Sequence, residues 1–155
     1  MSSIFDLFRK IETEKAPPAP VTHIVAGLGN YGREYEGTRH NAGFSAIDIL
    51  SDRKKLSVTR AKFDALTDET VINGKRILVM KPQLYMNLSG VSVKKAADFY
   101  KIPAENIIVI CDDINLDVGK LRIRRKGSDG GQKGLRNIAE QLGTDAFPRI
   151  RVGVG

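Results

Sequence analysis

The sequence lacks several features that define secreted and membrane proteins. Its 155 residues include a single cysteine, Cys111, which cannot form an internal disulfide and lies in an apolar run typical of a buried strand. No stretch approaches about 18 consecutive apolar residues, and the N-terminus lacks the charged, apolar and small-residue pattern of a signal peptide. We therefore expect a cytoplasmic protein with no membrane partner.

The charge of the chain is strongly basic. Lysine and arginine number 25 against 18 acidic residues, which gives a formal net charge of +7. Such an excess favours a polyanionic partner, and nucleic acid is the leading candidate. The apolar fraction of 41% is ordinary for one globular domain. We expect a single-domain monomer with no obligate protein partner.

The N-terminal residues differ in composition from the rest of the chain. Residues 2–14 carry apolar side chains at helical spacing, and Ala16–Pro20 is a proline-rich linker. We predict that residues 1–20 form a flexible extension with a short amphipathic segment, and that residues 21–155 form the folded domain.

The most informative stretch is a glycine-rich loop that follows an apolar strand over residues 21–26. The loop, residues 27–43, carries Asn30, His40 and Asn41. In open α/β sheets, sites form at the carboxyl ends of strands. An imidazole titrates near neutral pH and an amide donates hydrogen bonds, so this loop offers a candidate general base beside candidate donors.

The same glycines allow two other interpretations. Gly27, Gly29 and Gly32 fit the spacing of a dinucleotide-binding fingerprint, which requires a helix to begin inside the motif. Residues 33–38 are instead polar and interrupted by glycine, and helical periodicity begins only near Phe44. We therefore do not expect NAD or another cofactor, whereas a purely structural turn stays open at this point.

Two further loops carry polar side chains where apolar strands end. Asn87 and Ser89 follow a strand that stops at Pro82, and Ser89 is equally suited to cap the helix that comes next. That helix runs to Lys101, and two others are predicted over residues 41–54 and from Leu135 to Leu142. Asn73-Gly74 predicts a hairpin between two antiparallel strands.

A pair of carboxylates, Asp112 and Asp113, ends the most apolar strand of the chain, Ile107–Cys111. A metal site would need further ligands at close spacing, and only Asp117 is near, so we expect no metal. A carboxylate in this place can instead orient the imidazole of His40.

Basic residues alternate along a predicted strand over residues 120–126. Lys120, Arg122 and Arg124 fall on one face about 7 Å apart, a spacing that suits successive phosphates. A solvated polar face would show the same pattern. Nearer the C-terminus, Arg151 shares a strand face with Arg149.

A glycine-rich segment over residues 127–134 precedes the third predicted helix. The first backbone amides of such a helix can bind an anion.

Several short blocks occur in order over residues 21–155. They are Gly27-Leu28-Gly29-Asn30, Tyr35, Thr38-Arg39-His40-Asn41-Ala42-Gly43, Lys81-Pro82, Met86-Asn87-Leu88-Ser89-Gly90, Asp112-Asp113 with Leu116 and Gly119, and Gly130-Gly131. No block is specific by itself, but the set resembles the bacterial peptidyl-tRNA hydrolase family. The resemblance implies a single α/β domain with a mixed, mostly parallel central sheet and helices on both faces.

The resemblance also implies an activity, the hydrolysis of the ester that joins a peptide to the 3′ ribose of tRNA. In this family His40 would activate the attacking water, Asp112 would orient it, and Asn30 would complete the catalytic group. No cofactor or metal is required. We assign substrate or tRNA binding to Tyr35, Met86, Asn87, Lys133, Arg122, Arg124 and Arg151.

The chain departs from the family pattern in three ways. Tyr31 replaces the usual proline, and Gln132-Lys133 replace a common His-Asn pair, so that Lys133 adds a cation in place of an asparagine that normally contributes to substrate binding. Most members also continue beyond the equivalent of Gly155 into a lid and a C-terminal helix, so we expect a truncated chain. A relative that binds RNA without hydrolysis, like the splicing factors of this fold, is the second hypothesis.

Overall fold

The computed structural model describes residues 4, 19–30 and 41–155. The predictions for Tyr31, Tyr35 and His40 lie outside the described residues. Of the predicted N-terminal extension, only residues 4, 19 and 20 are described.

The described residues form seven strands, three α-helices and two short 3₁₀ turns. The strands are β1 (Val21–Gly27), β2 (Arg60–Lys62), β3 (Ala65–Ile72), β4 (Lys75–Pro82), β5 (Ile107–Asp113), β6 (Leu121–Arg124) and β7 (Arg149–Gly153). The helices are α1 (Ala42–Lys54), α2 (Ser89–Tyr100) and α3 (Lys133–Leu142). The 3₁₀ turns are Met86–Leu88 and Ala104–Asn106.

All seven strands join one mixed sheet in the order β2-β3-β4-β1-β5-β7-β6. The four central strands run parallel, because β1 pairs in parallel with both β4 and β5, and β5 with β7. Antiparallel pairings occupy both edges, where β3 joins β4 through the predicted hairpin and β6 folds back on β7. The predicted mixed α/β sheet is therefore confirmed.

Apolar cores cover both faces of the sheet. Successive residues of β1, Ile24 and Val25, belong to opposite cores, as the alternation of a strand requires. The larger core contains residues of α2 and α3, and the smaller one contains Ile47 of α1. The helices therefore lie on both faces, as predicted.

Glycines allow α1 to pack directly against the ends of β1 and β5. A side-chain carbon on Gly43 would lie 2.4 Å from the Ile110 carbonyl oxygen and from the Leu28 backbone nitrogen. One on Gly27 would lie 2.4 Å from the Gly43 carbonyl oxygen. This close approach places the N-terminus of α1 beside the loop that leaves β1.

Some predicted details change in the structure. Ser89 is the first residue of α2 rather than its cap, because its hydroxyl donates to the Met86 carbonyl oxygen at 2.8 Å and stabilises the preceding 3₁₀ turn. The short, fully exposed edge strand β2 was not predicted, since three residues carry too little pattern to recognise. α3 begins at Lys133, inside the glycine-rich segment.

Cys111 is buried in β5, as predicted, and burial raises the pKa of its thiol to about 12. The thiol is therefore protonated at neutral pH and unreactive. Among the described residues, no helix is both long enough and apolar enough to cross a membrane.

Candidate active site

A cleft of about 640 Å³ opens at the carboxyl ends of the central parallel strands. Neighbouring parallel strands end at the same edge of a sheet, so the loops that follow β1, β4 and β5 meet there. The cleft is lined by Asn30, Tyr85, Met86, Asn87, Asp112, Asp113, Ile114, Gly130, Gly131, Gln132, Lys133 and Arg151. Predicted residues from five separate parts of the sequence are thus brought together: Asn30, Met86-Asn87, Asp112, Lys133 and Arg151.

Residues 28–30, which directly follow β1, lie against the start of α1. The backbone amide of Asn30 donates to Oδ1 of the buried Asn41 at 2.8 Å. A side-chain carbon on Gly29 would lie 2.8 Å from the same oxygen and 2.7 Å from the Phe44 ring. Asn41 therefore fixes the backbone at Asn30, which lines one wall of the cleft.

The two carboxylates at the end of β5 have different surroundings, although both are buried. Asp113 accepts the backbone amide of Asn115 at 2.8 Å and so stabilises its own turn. Asp112 Oδ1 accepts a hydrogen bond from Gln132 Nε2 at 3.3 Å. No group of three or more potential metal ligands occurs in the part of the chain that the structure describes. Of the two carboxylates, Asp112 is therefore the one that contacts Gln132, which precedes α3.

The second wall of the cleft is formed by the 3₁₀ turn Met86–Leu88, which follows β4. Met86 is half-buried, whereas Asn87 and Tyr85 are exposed at the cleft. Sequence reasoning did not assign a role to Tyr85, which lines the cleft and is 66% exposed. Its place directly before the Met86-Asn87 block was the available signal.

The third wall is the N-terminus of α3. Gln132 is the N-cap residue, and its Oε1 accepts the Leu135 backbone amide at 2.8 Å. Lys133 follows as the first helical residue and exposes its side chain at the cleft. Gln132 was identified in the sequence only as a departure from the family pattern. The structure shows that it contacts Asp112 and Met86.

A smaller basic cavity of about 280 Å³ lies beside the cleft. Arg122 pairs directly with Arg151 across the β6–β7 ladder, and Arg124 with Arg149, so all four side chains share one face of the sheet. Arg122 and Arg124 are exposed, whereas Arg149 and Arg151 are buried. Arg151 lines both cavities.

The buried arginines position the glycine-rich loop between the two cavities. The Arg149 guanidinium donates to the carbonyl oxygens of Gly127, at 2.8 Å, and Phe147, at 3.1 Å, and lies 4.1 Å from the Phe147 ring centroid. Arg151 donates to the Ser128 carbonyl oxygen at 2.8 Å. Burial lowers the pKa of Arg149. The prediction that Arg149 and Arg151 share a face is confirmed. Both side chains stabilise the glycine-rich loop by donating to its backbone carbonyl oxygens.

The loop has its own internal hydrogen bonds. Asp129 Oδ1 accepts the Gly131 backbone amide at 2.8 Å, and this bond lowers the pKa of the Asp129 carboxyl. Gly130 and Gly131 both have positive φ, at 58° and 85°, which favours glycine. The loop therefore keeps a defined shape at the rim of the cleft.

Comparison with known proteins gives one consistent family. Residues 24–155 match the model of the peptidyl-tRNA hydrolase family. Among similar curated proteins, the peptidyl-tRNA hydrolase of Clostridium novyi is 52% identical over 132 residues, which are 85% of this chain and 70% of the relative. That of Caldanaerobacter subterraneus subsp. tengcongensis is 53% identical over 133 residues, covering 86% and 72% of the two chains.

Solved structures show the same similarity. The crystal structure of peptidyl-tRNA hydrolase from Acinetobacter baumannii matches with a TM-score of 0.82 and 34% identity, over 90% of this chain and 71% of that one. A complex of peptidyl-tRNA hydrolase with N-propanol matches equally well, with a TM-score of 0.82 over 89% and 71%.

The buried guanidinium of Arg149 generates a stability prediction. Arg149→Met keeps the apolar stem and removes the donors to several carbonyl oxygens, and each buried acceptor left without a partner costs about 1 to 3 kcal/mol. We expect a loss of about 3 kcal/mol in the free energy of unfolding, measured by urea denaturation. The matched control is Arg125→Met at an exposed position, which should change stability by less than about 0.5 kcal/mol. Equal effects of the two substitutions would contradict the structural role of Arg149.

Proposed function

The chain belongs to the peptidyl-tRNA hydrolase family, and from this premise we propose how its residues carry out the reaction. It hydrolyses peptidyl-tRNA. The observation that supports the residue roles is the convergence of Asn30, Asn87 and Asp112 on one cleft, with the exposed arginines of β6 on a cavity beside it.

Hydrolysis proceeds by attack of water on the ester carbonyl carbon. His40 takes a proton from this water as general base, and Asp112 orients the water and stabilises the imidazolium that forms. The carbonyl oxygen becomes an oxyanion, for which the Asn30 side-chain amide is the proposed donor. Collapse of the tetrahedral intermediate breaks the bond to the ribose 3′ oxygen, which receives the proton from His40. The products are a peptide with a free carboxyl group and a tRNA with a free 3′ hydroxyl.

Peptide recognition must rely on features common to all peptides, because the peptide sequence varies. Asn87 is exposed at the cleft and Met86 is half-buried beside it, so an amide and an apolar surface are offered together. Asn87 is proposed to bind the peptide backbone. Lys133 adds a cation at the same rim, suited to the tRNA 3′ end, and Tyr35 stays a predicted substrate contact outside the described residues.

The tRNA backbone is proposed to bind across the basic face of β6. Arg122 and Arg124 are exposed and lie on one face, and Arg151 joins this face to the cleft. The predicted alternation holds for Arg122 and Arg124, which are both exposed, whereas Lys120 precedes the strand. A cytoplasmic location, a monomeric state and the absence of an obligate protein partner stay predictions.

The alternative of an RNA-binding protein without hydrolytic activity is not favoured. The curated relatives are named hydrolases, and Asp112, Asn30 and Asn87 line one cleft in this chain.

Substrate choice provides the direct test of the activity. The protein should release labelled N-acetyl-amino acid from N-acetyl-aminoacyl-tRNA at least about fivefold faster than it releases the amino acid from the unacetylated parent. The free α-amine is charged or strongly hydrated, and it would be left unpaired where a peptide amide binds, at a cost of about 1 to 3 kcal/mol. Equal rates would show that the cleft does not read the amide.

Substitution of the catalytic pair should separate turnover from binding. His40→Ala should lower kcat by about 10²- to 10⁴-fold, because general-base catalysis contributes that much. Asp112→Asn keeps the size of the side chain, removes its charge and should also lower kcat. Affinity for tRNA, measured by filter binding, should stay unchanged in both. Activity of His40→Ala within tenfold of the parent would refute the proposed base.

Replacement of two β6 arginines should weaken the salt dependence of binding. Each phosphate contact releases counterions, so Arg122→Ala with Arg124→Ala should reduce the slope of log affinity against log salt by about 1 to 2 units. The control pair is Arg53→Ala with Lys54→Ala, which removes two exposed cations from the last turn of α1, away from the cleft. The proposed tRNA surface is wrong if the β6 variant keeps the parent slope.

A further inference from the structure

We propose that Gln132 is a positioning residue that fixes the Asp112 carboxylate by tying it to the N-terminus of α3. The inference rests on the proposed function, since it assigns Asp112 to the reaction. It concerns a residue to which the sequence alone assigned no catalytic or binding role.

The hydrogen bonds of Gln132 determine which end of its amide faces the cleft. Oε1 accepts the Leu135 backbone amide at 2.8 Å, which satisfies one of the free donors at the start of α3. Nε2 therefore points to the other side, where it lies 3.3 Å from Asp112 Oδ1 and 3.3 Å from Met86 Sδ. A flipped amide would lose the helix cap and place an oxygen against a carboxylate, so the helix start selects the donor for Asp112.

The helix start that holds Gln132 is itself closely packed. A side-chain carbon on Gly134 would lie 2.6 Å from Leu28 Cδ1 and 2.9 Å from Met86 Sδ, and Leu135 is fully buried. Further along α3, Asn137 Oδ1 accepts the Gly90 backbone amide at 2.7 Å and joins α3 to α2. The N-terminus of α3 cannot shift without disturbing the core, so it is a rigid anchor for the amide.

The bond joins two walls of the cleft that are distant in sequence. Asp112 ends β5, while Gln132 precedes α3, and the positive end of the α3 dipole lies behind the amide. The hydrogen bond from Gln132 Nε2 to Oδ1 restricts rotation of the buried Asp112 carboxylate. Catalytic groups must be held within a fraction of an ångström, so loss of the Gln132–Asp112 hydrogen bond should lower kcat.

Two substitutions separate helix capping from positioning. Gln132→Ser keeps a good N-cap oxygen but is too short to reach Asp112. Gln132→Glu keeps the cap acceptor and the length, and replaces the donor by a second carboxylate. With N-acetyl-aminoacyl-tRNA as substrate, we expect both to lower kcat by about tenfold to a hundredfold and to leave KM within about twofold of the parent.

A matched control tests whether destabilisation of α3 alone explains the loss. Gly143→Ala acts at the other end of the same helix, where φ is +73° and the added carbon would meet no atom within 4 Å. It should lower the thermal midpoint and leave kcat within twofold of the parent. If Gly143→Ala lowers kcat as much as Gln132→Ser does at a similar thermal midpoint, the positioning role is overturned.

A double-mutant cycle tests whether Gln132 acts through Asp112. In the Asp112→Asn background, Gln132→Ser should change kcat by less than about twofold, because the carboxylate it positions is gone. Full multiplicative loss in the double variant would overturn the proposal, as would a kcat for Gln132→Ser within twofold of the parent.

A measurement independent of activity completes the test. The side-chain amide signals of Gln132 in ¹⁵N-resolved NMR spectra should shift on Asp112→Asn and should be unaffected by Asp113→Asn. Lack of any response to Asp112→Asn overturns the contact even if hydrolysis is normal. Failure of the parent to hydrolyse peptidyl-tRNA refutes the proposed function instead, and the NMR result then decides the contact by itself.

Discussion

The parallel pairing of β1 with both β4 and β5 is the constraint on which the rest of the structure depends. These pairings set the three carboxyl ends side by side, so that the loop with Asn30, the turn with Asn87 and the carboxylate of Asp112 meet at one edge. The contacts between β1, α1 and β5 at Gly27 and Gly43 leave no room for a side chain. A shift of β1 along its neighbours would separate the residues that form the cleft.

Helix α3 closes the cleft from the far side, and its start serves two purposes. It satisfies its own first backbone amides through Gln132, and through the same side chain it reaches Asp112. The loop before it is held from below by Arg149 and Arg151, whose guanidinium groups bind backbone carbonyl oxygens. Buried cations thus shape the loop, while the exposed cations of β6 remain available to a polyanion.

The arginines of β6 and β7 show how far pattern reasoning reaches. Alternation correctly placed Arg122 with Arg124, and Arg149 with Arg151, on shared faces, because the period of a strand is two. It did not show that Arg122 lies opposite Arg151, since the register across the ladder is a tertiary property. It also did not distinguish exposed from buried arginines, which depends on where the loop over residues 127–131 lies.

The sequence by itself determined the helices and the strands other than β2, the mixed α/β class, the family and the candidate residues Asn30, Met86, Asn87 and Asp112, because periodicity and short ordered motifs are local properties. Only the tertiary structure decided that Ser89 supports a 3₁₀ turn, that Arg149 carries a loop and that Gln132 contacts Asp112. The Arg149 and Gln132 contacts join segments that are about 20 residues apart, whereas the Ser89 contact depends on the 3₁₀ turn that its own segment adopts. Their meeting follows from strand order and helix packing, which no single stretch of sequence encodes.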